Sequence, residues 1–171
     1  MGGAFVIALA LLSDPYTQRL HERPADISAD SAVTAAHRVE AEMRARVRFE
    51  TDPKTAAIRV VILRKDRRIS IVAFRYSAAS WAVERVEIPV VEAGYDRAMP
   101  LATRSDLSSA DVARLESLMR ARNWSAAACG GDQVVMTVRF PEGVRDFAGC
   151  PSDAAADALW ILDAGGSEGA H

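Results

Sequence analysis

Between Ala56 and Val90 the chain alternates between apolar runs and short polar breaks, and this is its longest stretch of strand-like sequence. Ile58 to Leu63 is rich in β-branched residues, which favour a pleated, half-buried surface. Lys65-Asp66-Arg67-Arg68 is a polar turn. Ile69 to Tyr76 then places Ile69, Ile71 and Ala73 on one face and Val72, Phe74 and Tyr76 on the other. A strand apolar on both faces is expected to lie inside a sheet with cover on both sides. Ser77 to Ser80 forms the second turn, and Trp81 to Ile88 the third strand, with Glu84, Arg85 and Glu87 giving it a more polar character. Pro89 closes that strand, where a missing backbone donor does least harm.

Helical periodicity flanks this meander. Asp26 to Arg48 carries Val33, Ala36, Val39 or Glu40, Met43 and Val47 at helical spacing, with Ser28 or Asp30 available as a cap. Glu40 to Arg44 and Glu42 to Arg46 have the i,i+4 order that supports a helix. Arg46 to Glu50 alternates and reads equally as a short strand. Asp52-Pro53 ends either element, because the residue before proline avoids the α region. Val91 to Asp106 is the least regular part, with a short strand expected around Met99 to Thr103. Ser108 to Arg122 is the clearest helix. Ser108 and Asp111 stand at capping-box spacing, Val112, Leu115, Leu118 and Met119 make the stripe, Asn123 is expected as a left-handed cap, and Trp124 folds back on the helix end. Ser125 to Asp132 reads as a loop of small residues, Gln133 to Phe140 and Val144 to Ala148 as a hairpin, and Cys150-Pro151-Ser152-Asp153 as the start of a last helix running to about Asp163.

These elements predict an α+β fold: an antiparallel sheet, formed by a three-strand meander and a C-terminal hairpin, packed with two or three helices. A chain of 171 residues suits a single domain, read here as residues 26–165. A chain of this size buries roughly 70% of its unfolded surface, enough for an ordinary core. Residues 1–25 are read as a signal peptide or a flexible N-terminal segment, and residues 166–171 as a disordered tail. The nine-residue apolar run Ala4 to Leu12 is too short to span a bilayer, which takes about 20 residues, and has the length of a signal h-region. It lacks a positive flank and a clear cleavage site, so a short core element is the competing reading. The expectation is a periplasmic or secreted protein without a transmembrane span; a cytoplasmic location is the alternative.

Charge narrows the function classes. The net charge is −2, with 21 basic and 23 acidic residues, which argues against a nucleic-acid binder. Lysine is confined to Lys54 and Lys65 and alanine is abundant, a bias expected of a bacterial GC-rich genome. Cys129 and Cys150 are the two cysteines, and an even count in an exported chain is compatible with a disulfide. A hairpin turning at Pro141-Glu142 places Cys150 opposite Gln133, with Cys129 close by in a glycine loop. Independent buried thiols are one alternative. A nucleophile at Cys150, activated by a helix N-terminus, is another.

No phosphate loop, nucleophile elbow or zinc-protease motif is present, and no cofactor or metal site is predicted. His37 and Glu40 are three apart on a predicted helix but lack a third ligand, so His37 is read as a surface residue of an amphipathic helix. Asn123-Trp124-Ser125 fits a glycosylation sequon, a short motif with frequent chance matches. Trp81, Trp124 and Trp160 are read as core or edge-packing residues. Two surfaces are left as candidates for contact with a protein or a small ligand. One is the basic turn with Arg64, Lys65, Arg67 and Arg68; the other is the segment with Tyr95, Asp96 and Arg97. The expected function is that of a non-enzymatic binding or interaction module. The alternatives are a small hydrolase or transferase with its site in the 91–106 loop, and a cytosolic structural or regulatory domain.

Overall fold

The computed structural model describes residues 29–90, 99–128 and 131–165. The expected N-terminal signal segment, Tyr95, Asp96, Arg97, Cys129 and the tail lie outside the described residues. The chain folds as α+β, and the described residues form a six-stranded antiparallel sheet, a two-stranded sheet and three helices. In chain order these are α1 (Ala29–Ala45), β1 (Ile58–Leu63), β2 (Arg67–Ser77), β3 (Ser80–Pro89), β4 (Leu101–Asp106), α2 (Ser109–Leu118), β5 (Trp124–Ala127), β6 (Gln133–Phe140), β7 (Gly143–Ala148), β8 (Cys150–Asp153) and α3 (Ala154–Gly165). The large sheet has the order β4-β3-β2-β1-β6-β7, and β5 pairs with β8.

The meander places β2 inside the sheet, and its residues from Arg68 to Phe74 are all buried. Period-two alternation sends Ile69, Ile71 and Ala73 to one core and Val72 and Phe74 to the other. The larger core joins Ile58, Val60, Ile62, Trp81 and Met136 to Val112 and Leu115 of α2 and to Ala155, Ile161 and Leu162 of α3. On the opposite face α1 lays Val33 and Ala36 against Val61 and Val135, and Val39 and Met43 against Val86 and Ile88. The helix therefore crosses the strands, from the β6–β7 side at its start to β3 at its end.

Several boundaries differ from the sequence expectation. Residues 46–50 form no strand, and α1 ends at Ala45. The expected strand around Met99 begins at Leu101 and continues to Asp106 as the edge β4. Helix α2 is capped by the Ser108 hydroxyl, which accepts from Asp111 N at 3.1 Å, but it stops at Leu118. Asn123 is not left-handed; among the described non-glycine residues only Asp153 has a positive φ, +53°. Trp124 does fold back, its Nε1 donating to Leu118 O at 2.7 Å, and that bond uses a helix carbonyl without any left-handed turn.

The larger correction concerns the two small-residue segments. Ser125–Ala127 is not loop, and Cys150–Asp153 is not helix: they pair as the β5–β8 sheet, Ala127 opposite Cys150 and Trp124 opposite Asp153. Both strands of a two-stranded sheet are edges, so Pro151 loses no ladder bond on its outer side. Gly149, at φ +127°, turns the chain out of β7. A side chain there would place its Cβ 2.3 Å from the Ala127 carbonyl oxygen. Cys150 consequently leaves the β6 register and does not face Gln133, which pairs with Leu63.

Candidate functional site

The register puts one row across the six strands on the α1 face, polar on every strand but β2. Arg104 faces Glu84, Glu84 faces Val72, Val72 faces Arg59, Arg59 faces Thr137, and Thr137 faces Asp146. Above this row α1 presents His37, Glu40 and Arg44, next to its apolar stripe. Three helical residues advance about 4.5 Å, close to the roughly 4.8 Å between strands. His37 thus reaches β6 and Glu40 the adjacent β1.

The pairs are specific. Arg44 Nη2 donates to Glu84 Oε2 at 2.6 Å, with both side chains buried. The Thr51 hydroxyl and Arg104 Nη1 also donate to the Glu84 carboxylate, at 2.6 and 3.2 Å. Arg104 Nη2 reaches the Tyr76 hydroxyl at 2.7 Å. Arg59 donates to Glu40 Oε2 through Nε at 3.0 Å and through Nη2. Glu40 and Arg44 therefore pair with the sheet, where the sequence read them as partners along the helix. Glu40 Oε1, Arg44 Nη1 and Ser70 Oγ are buried without a hydrogen-bond partner among the described residues.

At the β6–β7 end the row opens into a cleft of about 220 Å³ lined by His37, Lys54, Ala56, Arg59, Thr137, Arg139, Val144 and Asp146. His37 is partly buried here, where the sequence placed it on an open helix face. The His37 Nε2 to Thr137 Oγ1 distance is 2.9 Å, and Thr137 Oγ1 lies 2.5 Å from Asp146 Oδ1. A hydroxyl has one proton and a carboxylate only accepts. The network therefore assigns the Thr137 proton to Asp146 and an N–H to His37 Nε2. Thr137 is oriented as a relay in this arrangement; its proton faces away from the imidazole that would have to remove it for nucleophilic attack. Burial and then the Arg59 guanidinium lower the His37 pKa from its ordinary value, against the opposing pull of Glu40 and Asp146.

Lys54 enters the cleft from a short 3-10 turn, Pro53–Thr55, capped by Asp52 Oδ1, which accepts from Lys54 N at 2.9 Å. Arg139 Nη2 donates to the Lys54 carbonyl at 2.7 Å. Nothing in the spacing of His37, Lys54, Arg59, Thr137, Arg139 and Asp146 announces this convergence, because it is set by strand register. The one local signal was the polar alternation Arg59, Thr137, Arg139 within otherwise apolar strands.

The surfaces expected from sequence look different in place. In the basic turn Arg64 pairs with Asp132 at 2.9 Å, and Arg67 with Asp66 at 2.7 Å and Glu87 at 3.0 Å. The hydrogen bond from Arg67 holds the Asp66 carboxyl below its ordinary value. Arg68 is buried and Lys65 is exposed, so the turn is largely neutralised from within. Trp81 and Trp124 are core residues, whereas Trp160 is 61% exposed and lines a second, more open cleft of about 450 Å³ with Arg85, Leu159 and Asp163. Among the described residues no cysteine is free. Also among them, no group of three or more His, Cys, Asp or Glu side chains is placed to hold a metal, and no helix is long and apolar enough to cross a membrane. No protein-family model, curated protein or solved structure matches the chain.

Proposed function

We propose that this protein is a non-enzymatic binding module whose ligand enters the cleft between α1 and the β6–β7 hairpin. The observation that carries this reading is the convergence of His37, Lys54, Arg59, Thr137, Arg139 and Asp146, from five separate segments, on one concave site. A few oriented polar groups in a concavity are the usual form of a small-molecule site. The direction of the Thr137 proton supports binding over nucleophilic chemistry. Arg139 is exposed and donates only to a backbone carbonyl, so Arg139→Ala tests the site without disturbing the core. The measurement is calorimetric titration with a panel of small ligands spanning anionic, neutral and cationic compounds. Expected is a ligand whose affinity falls at least about tenfold, or 1.4 kcal/mol, in Arg139→Ala. Hits indifferent to cleft substitutions would sink the reading.

The same proposal places the protein outside the cytoplasm, with a Cys129–Cys150 disulfide. It draws support from the apolar run Ala4 to Leu12 and from Cys150 standing opposite Ala127, two positions from Cys129. In the loop-entropy account such a bridge contributes about 3 kcal/mol. Intact mass of the natively expressed protein, with and without reductant, is expected to show N-terminal cleavage and the uptake of two hydrogens on reduction. An uncleaved chain whose mass reductant leaves unchanged would overturn both parts.

A further inference from the structure

The charge in the cleft is uneven. Lys54, Arg59, Arg139 and His37 face one another across it with a single carboxylate, Asp146. Arg59 is committed to Glu40, and Asp146 accepts from Thr137. Among the described residues, the Lys54 ammonium and the Arg139 guanidinium have no acidic partner, and Arg139 donates to a carbonyl alone. Elsewhere, several surface arginines stand beside an acid: Arg64 with Asp132, Arg67 with Asp66, Arg75 with Glu116, Arg145 with Glu142. The volume, about 220 Å³, is below that of sites for drug-sized ligands, roughly 300–1,000 Å³. It suits one small charged group.

We infer that the cleft takes an oxyanion group, held by Lys54 and Arg139, and that His37 gains a proton as the group binds. This rests on the reading of the cleft as the ligand site. Phosphate, sulfate and carboxylate share the required chemistry: several acceptor oxygens and a negative charge, which arginine's planar donors and lysine's ammonium both satisfy. The groups facing His37 are Glu40 on its own helix, Arg59 from β1, Thr137 and Arg139 from β6, Asp146 from β7 and Lys54 from the capped turn. In the free protein burial and Arg59 disfavour the imidazolium. An anion arriving between these groups supplies the missing negative charge and reverses the balance. Because protonation and binding are linked reciprocally, the anion binds more tightly as pH falls and raises the pKa of His37 as it binds.

The test uses inorganic sulfate and phenyl sulfate, whose charges stay fixed between about pH 5 and 8, the range in which histidine changes charge. The pair also separates a free ion from the end group of a larger molecule. Calorimetry is expected to give affinity about tenfold higher at the acid end, equivalent to a one-unit rise in the histidine pKa. NMR titration of the His37 ring is expected to show that rise directly. His37→Gln keeps a donor for Thr137 and removes the titration, so it should bind the anion with pH-independent affinity. Lys54→Ala and Arg139→Ala should weaken binding at every pH. A pH dependence that persists in His37→Gln, or affinity equal across pH in the native protein, overturns the proton uptake. If neither sulfate binds while an uncharged ligand maps to the cleft, the oxyanion inference fails and the binding reading stands. If no ligand of any charge perturbs the cleft residues, both fail.

Discussion

Glu84 is the residue on which sequence reading and structure diverge most. Within Trp81 to Ile88 it reads as a polar position of a half-exposed strand, yet it is fully buried. Alternation tells which residues share a face but not whether a helix covers that face. Removing one partner of a buried ion pair leaves the other charge uncompensated, at a cost of about 3–5 kcal/mol. Glu84→Ala is therefore expected to lower unfolding free energy by that amount in urea titration, because Arg44, Arg104 and Thr51 all lose their acceptor. Arg44→Met with Glu84→Leu should recover most of it, since hydrophobic isosteres often replace buried pairs without loss. His37 gives a pH signature at the same scale. Its folded pKa lies below the unfolded value of about 6.5. The unfolded chain therefore takes up the proton first as pH falls. Ligand-free stability should decline from about pH 6.5 down to the lowered folded value and then level off, and His37→Gln should flatten that contribution. Urea midpoints measured across this range check the sign.

At the scale of elements, periodicity made the meander, α2 and the β6–β7 hairpin legible, each with a strong apolar pattern over many residues. The β5–β8 pair was hidden for a physical reason. Ser125, Ala126, Ala127 and Cys150 to Asp153 have small or polar side chains, and their strand form comes from pairing with each other. Pro151 and Asp153 also imitate a helix start, and the helix does begin one residue after Asp153. Gly149 is the hinge of this arrangement. Gly149→Ala would combine an unfavourable positive φ with the 2.3 Å approach to the Ala127 carbonyl. A loss of at least about 1–3 kcal/mol is expected from the backbone strain alone, read as a lowered thermal midpoint. For α1, Met43→Ala should cost about 2–5 kcal/mol, because Met43 is fully buried between Val39, Val86 and Ile88.

Across the whole molecule, one sheet separates two unequal cores. The α2–α3 side is continuous and apolar, while the α1 side alternates apolar rows with a charged one. Amide exchange should follow the strand order, with β1 and β2 slowest and the edges β4 and β7 faster, as expected where opening starts at less-protected boundaries. The fold class was legible at this scale because layer architecture follows from element order. The cleft was not, since its lining residues are up to 109 positions apart and meet only through register. The charged row has a consequence for how the chain finds its final arrangement. An apolar helix stripe fits many positions on an apolar sheet face. Here a slide of α1 by two strands toward β7 would set Glu40 against Asp146 and Arg44 against Arg59, like charge against like. The row thus acts as an address written on the sheet, telling the helix where to stop.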